Sequence, residues 1–201
     1  MRAEEFLEML HTAERLKDTV RHCTTSQGRP ESVAEHSWRV ALMAMWLRGE
    51  FPELDIDRVI RMCLIHDLGE CFTGDIPSFL KTGADADREE SLLAGWVASL
   101  PEGVSAEMRG LYAEMDALAS PEAKLYKALD KLEAVIQHNE SPIETWSENE
   151  FELNRTYGFD AAAFSPWLTE LRGAILGETL EKIAAAEKDE APHCQNEEKT
   201  L

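Results

Sequence analysis

The segment Asp55–Gly69, DIDRVIRMCLIHDLG, constrains this chain more than any other. Ile56, Val59, Ile60 and Cys63 recur at the spacing of a helix with one apolar face. Asp55 is a candidate N-cap and Gly69 a candidate stop. Continued by one turn, the apolar stripe lands on His66 and Asp67. A carboxylate at the inner end of a core helix is costly unless a cation, hydrogen bonds or water compensate it. The fold must therefore supply Asp67 with a partner, or leave the His66–Asp67 pair exposed at a fraying helix end.

Two other helices carry the same feature. Ser32 with Glu35 three residues on has capping-box spacing, and Gly49 marks a stop. Between them Val33, Val40, Met43, Ala44 and Leu47 form an apolar stripe, and a step of four back from Val40 reaches His36. Alone, His36 reads as a buried histidine bonded to a carbonyl. A helix opened by Ser120-Pro121 runs through EAKLYKALDKLEAVIQHNE, with Pro at its first position. Asp130 lies between its stripe (Leu125, Leu129, Leu132, Ile136) and its lysine ridge (Lys124, Lys127, Lys131), beside Ala123 and Ala134. Alone, Asp130 reads as a surface ion pair with Lys127 or Lys131. Together, His36, His66, Asp67 and Asp130 offer two imidazoles and two carboxylates from three helices. Such a set suits one divalent transition metal ion, Mn, Co, Fe, Ni or Zn. Four protein ligands leave room on a six-coordinate ion for water and substrate.

The rest of the chain shows no period-2 alternation and no repeat, so the expected class is all-α, a single-domain helical bundle. Further helices are expected over 3–20, with a stripe of Phe6, Leu7, Leu10, Ala13 and Leu16, and near 85–100, 104–118 and 160–186. Residues 21–32 and 70–83, rich in Gly, Pro, Ser and Thr, read as loops, the second with one short turn. Residues 141–158 read as irregular or as holding a short helix. The domain is expected over 1–186, and 187–201 as a polar, disordered tail. With 201 residues, 44% of them hydrophobic, one core forms without metal or disulfide staples. Trp38, Trp46 and Trp96 read as core or interface aromatics, and Cys63 as a small core hydrophobe.

A net charge of −19 repels phosphate backbones and anionic lipid. That argues against polymeric nucleic acid and against membranes as partners, and a small phosphorylated ligand would need a local cation. Cys23, Cys63, Cys71 and Cys194 form no CxxC pair, so a reducing cytoplasmic location is the default. The opening MRAEEFLEMLHTAERLK is charged throughout and does not read as a signal peptide.

In order, His36, the doublet His66-Asp67 and then Asp130 resemble the H…HD…D signature of HD-domain metal-dependent phosphohydrolases. The blocks ESVAEHSWRVALMA, CLIHDLGECFTGDIP and ALDKLEAVIQHNE resemble the 5'-deoxynucleotidase group of that family, in order and in separation. The resemblance spans about residues 5–180 as one compact domain. It implies the HD-type helical fold and a homodimer. It also implies one metal ion on the four residues just named, and release of phosphate from a small nucleotide, a 2'-deoxyribonucleoside 5'-monophosphate. It casts Glu70, in the run His66-Asp67-Leu68-Gly69-Glu70, as the catalytic acid that protonates the leaving oxygen, and Asp67 as a ligand that also orients water. Asp75, in Thr73-Gly74-Asp75, is cast at the sugar and Arg21 at the phosphate, with Arg29 a second candidate there. His22 is cast at the base, where bacterial members carry an aromatic residue. Two other functions fit these residues. One is an HD hydrolase of a cyclic nucleotide or a triphosphate, the triphosphate being disfavoured by the lack of an extra lysine- and arginine-rich pocket. The other is a non-catalytic metal-containing helical adaptor, which would have no use for an acid beside the metal.

Overall fold

The computed structural model describes residues 1–77 and 79–190. Helix α1 (Ala3–Ala13) passes through a 3-10 turn (Glu14–Lys17) into strands β1 (Val20–Thr24) and β2 (Pro30–Ser32). Then come α2 (Val33–Trp46), a 3-10 turn (Leu47–Gly49), α3 (Ile56–Ile65), α4 (Glu70–Thr73), α5 (Gly83–Ser99), α6 (Glu102–Ala117) and α7 (Pro121–Glu140). A 3-10 turn (Ile143–Thr145), α8 (Glu148–Thr156), α9 (Phe159–Ala162) and α10 (Pro166–Glu190) complete it. The class is all-α, as expected, with a small hairpin added.

Local chemistry starts the three helices that matter. The Ser32 hydroxyl accepts from the Glu35 N–H at 3.2 Å, and the Glu35 carboxylate accepts from the Ser32 N–H at 2.9 Å, closing the expected capping box on α2. Asp55 accepts from the Arg58 N–H to cap α3, and Ser120 accepts from the Ala123 N–H to cap α7 with Pro121 at its first position. The inner faces of α2, α3 and α7 then pack together. Val40 and Ala44, Val59, Met62 and Cys63, and Leu125, Leu129 and Leu132 share one apolar cluster, closed by Leu168 and Ile175 of α10. Each fully buried Leu or Ile contributes about 1.5–3 kcal/mol relative to exposure. Leu16, Val33, Leu68, Cys71, Val97 and Met108 form a second cluster beside it. Buried Arg172 ties α10 to the C-terminal end of α8 by donating to the carbonyls of Tyr157 and Asn154.

Several boundaries differ from expectation. The 3–20 helix stops at Ala13, and α1 fully buries none of its residues; Phe6, Leu7 and Leu10 are exposed, Ala13 packs half-buried against the second cluster, and Leu16 beyond the helix is buried in it. Residues 21–32 are not loop throughout. β1 and β2 pair antiparallel, with Val20 opposite Ser32 and Thr24 opposite Pro30 and an irregularity between. Gly28 makes the turn at φ 74°, a conformation that favours glycine. α3 ends at Ile65 rather than Gly69, and His66 to Gly69 form turns leading into α4. The last helix is broken at Ser165-Pro166 into α9 and α10, because Pro166 begins a helix more readily than it continues one. α10 reaches Glu190, four residues into the expected tail. Residues 191–201, with Cys194, lie outside the described residues. Trp38 and Trp46 are exposed rather than in the core, while Trp96 is half-buried against Phe72. Among the described residues no helix is long and apolar enough to cross a membrane.

Candidate metal centre and cleft

Packing of α2, α3 and α7 brings the four predicted ligands together. His36 projects from the first turn of α2, His66 and Asp67 follow the last residue of α3, and Asp130 sits midway along α7. The His36 Nε2 lies 3.2 Å from His66 Nε2 and 3.3 Å from Asp130 Oδ1. His66 Nε2 lies 3.0 Å from Asp67 Oδ2 and 3.6 Å from Asp130 Oδ1. Asp67 Oδ2 is 3.8 Å from His36 Nε2. Each ring is held at its other nitrogen, His66 Nδ1 by the Cys63 carbonyl at 2.8 Å and His36 Nδ1 by Glu133 Oε2 at 2.5 Å. Both Nε2 atoms therefore face each other, with carboxylate oxygens alongside. Two unprotonated nitrogens at that distance repel unless a cation or a proton lies between them. Donor atoms of His36, His66 and Asp67 all fall within 4.8 Å of one another, and Asp130 Oδ1 stands beside the two imidazoles, 3.3 and 3.6 Å from their Nε2 atoms. This nitrogen–oxygen set fits a divalent cation.

Asp130 divides its oxygens. Oδ1 meets the imidazoles, and Oδ2 accepts from Lys127 Nζ at 2.8 Å. The surface ion pair and the inward role are thus both present. Burial raises the Asp130 carboxyl, but Lys127 and the two imidazoles outweigh it and hold the group well below the usual carboxylate range.

All the predicted site residues except His66 and Arg29 line one cleft: Arg21, His22, His36, Asp67, Glu70, Asp75 and Asp130. His66 lines the neighbouring cavity between α5, α6 and α7. Glu70 begins α4 and is buried, and its Oε2 has no hydrogen-bond partner. Burial above all, then the charges of Asp67, Asp75 and Glu89, push its carboxyl up to about 9. Burial also raises Asp75, which follows Gly74 with φ 75°. Arg21 comes from β1, and its Nη1 donates to Glu31 Oε2 at 2.6 Å. His22 is half-exposed; its Nε2 is 3.2 Å from Glu150 Oε1, and its ring meets Phe79 edge-on at 5.5 Å. Arg29 is elsewhere: it pairs on the surface with Glu35 at 2.8 Å and does not line the cleft.

Some residues that matter here escape the sequence reading. Lys81 lines the cleft together with Lys127, which the sequence offers only as a surface partner of Asp130, so the cleft is more cationic than expected, yet each is engaged, Lys81 with Glu89 at 2.8 Å and Lys127 with Asp130. Glu150 also accepts from His138 Nε2 at 2.7 Å, giving a partner to a histidine with no apparent role in the sequence. Glu31, which reads as a loop acid, is buried against Arg21. Glu133 is buried behind His36, and its signals are its place four residues after Leu129 of the apolar stripe and one turn after Asp130.

A model of the HD domain matches residues 13–172, across all four converging residues and the cleft. The chain belongs to the HD-domain family. This HD-domain chain is 33% identical over 168 residues to the 5'-deoxynucleotidase HDDC2 of Homo sapiens, covering 82% of this chain and 79% of that relative. It is 34% identical over 161 residues to the HDDC2 of Mus musculus, covering 79% of each. The crystal structure of a protein from Magnetospirillum magnetotacticum MS-1, described as a predicted metal-dependent phosphohydrolase, superposes with a TM-score of 0.73 at 26% identity. That match covers 90% of this chain and 94% of the other. The chain is an HD-domain phosphohydrolase of the 5'-deoxynucleotidase-like kind.

Proposed function

We propose that this HD-domain enzyme releases phosphate from 2'-deoxyribonucleoside 5'-monophosphates, using one divalent transition metal ion held by His36, His66, Asp67 and Asp130. The observation that carries the reading is Glu70, a buried carboxyl with a free oxygen in the same cleft as that donor cluster and Arg21. A non-catalytic adaptor has no use for such a group. The relatives named 5'-deoxynucleotidase support the substrate class.

Bound there, a divalent ion supplies Lewis-acid charge to the phosphoryl group and lowers the pKa of water. The chain's own residues do the rest. Arg21 holds the phosphate; its Nη1 is anchored by Glu31, and its remaining N–H donors serve the ligand. Burial and neighbouring carboxylates disfavour the charge on Glu70, which suits it to hold a proton and pass it to the leaving 5'-oxygen. Asp67 orients the attacking water. Asp75 contacts the sugar, and His22 flanks the base. Lys81 and Lys127 are each paired with an acid, and Arg21, which meets Glu31 and Glu133 through Nη1, keeps its other N–H donors for one phosphoryl group, which favours a monophosphate over a triphosphate. We also assign the enzyme to the cytoplasm as a homodimer. The buried free thiols Cys23, Cys63 and Cys71 support the first, and the apolar surface of Trp38, Met45 and Trp46 supports the second. Metal identity is left to assay among Mn, Co, Fe, Ni and Zn.

The test is phosphate release from deoxy- and ribonucleoside mono- and triphosphates and cyclic nucleotides, across these ions and with a chelator. Release from deoxynucleoside monophosphates that the chelator abolishes is expected. Turnover of triphosphates or cyclic nucleotides alone, or turnover that survives metal removal, would overturn the reading.

A further inference from the structure

Glu133 is completely buried on α7, three residues after Asp130, so one turn of helix carries both carboxylates on the same side. Its Oε2 meets two groups. One is His36 Nδ1 at 2.5 Å, and the other is Arg21 Nη1 at 3.3 Å. Oε1 has no hydrogen bond and lies 3.7 Å from Arg39 Nε. A core built for stability alone gains little from such an acid, because a well-packed apolar residue does as well as a buried ion pair. A carboxylate does two things here that leucine cannot. It accepts the Nδ1–H of His36 and so selects the tautomer whose Nε2 lone pair faces His66 and Asp130. With the same oxygen it holds the Arg21 guanidinium at the cleft wall.

We infer that Glu133 is a positioning residue that builds the metal site and the phosphate site as one unit, acting on both through a single oxygen. This rests on the reading of His36 as a metal ligand and Arg21 as the phosphate holder. Glu133 itself touches neither ion nor substrate, so its removal should weaken the binding of both.

The test uses the full-length protein and two probes, Co2+ and inorganic phosphate. Co2+ affinity is titrated by its visible absorption with no nucleotide present. Phosphate binding to the metal-loaded protein is measured by calorimetry, and folding by the melting of the metal-free protein. Glu133→Ala should weaken Co2+ binding by about 10–100-fold, the scale seen when a group orienting a ligand is lost. Phosphate binding should weaken as well. Glu133→Gln still offers an oxygen to His36 Nδ1–H but no charge to Arg21, so it should restore most of the Co2+ affinity and little of the phosphate affinity. The phosphate losses of Glu133→Gln and Arg21→Lys should fall short of additive in the double variant, since both act through the placement of Arg21. A folded Glu133→Ala protein that differs from wild type only in melting temperature would overturn the inference. If that variant does not fold, wild-type phosphate affinity in Glu133→Gln would overturn it instead. Wild-type protein that takes up no Co2+ would instead sink the functional reading, and this inference with it.

Discussion

Glu70→Gln separates two consequences of keeping a carboxyl buried among other carboxylates. The side chain is 8% exposed, one oxygen lacks a partner, and its pKa is pushed up to about 9 against an ordinary value of 4.5. In the metal-free protein at pH 7 the folded chain therefore holds this proton while the unfolded chain does not. Because the folded value is the higher one, the penalty is absent below about pH 4.5 and complete above about pH 9, growing by about 1.4 kcal/mol per pH unit between them. From 4.5 to 7 is 2.5 units, an upper bound of roughly 3 kcal/mol. Glutamine keeps the shape and has no charge to suppress. The metal-free variant should thus be more stable than wild type by about 1–3 kcal/mol at pH 7, and the gap should close near pH 4. The same change removes the proposed proton donor. Turnover should drop about 10²–10⁴-fold, or roughly 3–5 kcal/mol of barrier, with metal content unchanged. Urea unfolding of the chelator-treated proteins at pH 4.5, 7 and 8.5 reads the first effect; phosphate release with metal analysis reads the second. Equal stability at pH 7 would refute the electrostatic argument, and wild-type turnover would remove Glu70 from the acid role.

Asp67→Ala should lose both bound metal and turnover while staying folded, because Asp67 lies in the turn after α3 rather than in its packed face; elemental analysis and phosphate release check it, and a metal-replete, active variant would exclude Asp67 from the ligand set. Glu150 tests the other wall of the cleft. Burial raises its carboxyl, but His138 and Ser147 outweigh that and hold it at about 2, so its stabilisation is present above its ordinary value of 4.5 and is lost as pH falls towards 2. Glu150→Gln should therefore cost about 2 kcal/mol at pH 6 and progressively less below pH 4, measured by urea unfolding; a cost independent of pH would assign Glu150 to packing alone.

Helical periodicity makes the convergence of His36, His66, Asp67 and Asp130 legible in the sequence. His36, His66 and Asp130 each sit where a local apolar stripe continues or borders, so each position is fixed by its near neighbours, and packing three apolar faces together makes them converge. The hairpin is hidden because its pairing buries Cys23, Glu31 and Ser32, which form no alternating apolar pattern for a reader to find. Glu133 is hidden for a deeper reason. It lies on α7 four residues after Leu129, at the edge of the apolar stripe, so spacing marks the position as facing inward but not what makes a buried charge tolerable there. That is decided by His36 and Arg21, which stand 97 and 112 residues away in the chain. A buried charge is a property of its partners rather than of its own helix, so no window of one helix reveals it. What does reveal it is the ligand itself. Once His36 is assigned to an ion through Nε2, its Nδ1–H must be accepted by something, and in a packed core only another part of the chain can do so. An acid one turn beyond Asp130, on the helix that already reaches the site, is the first place to look.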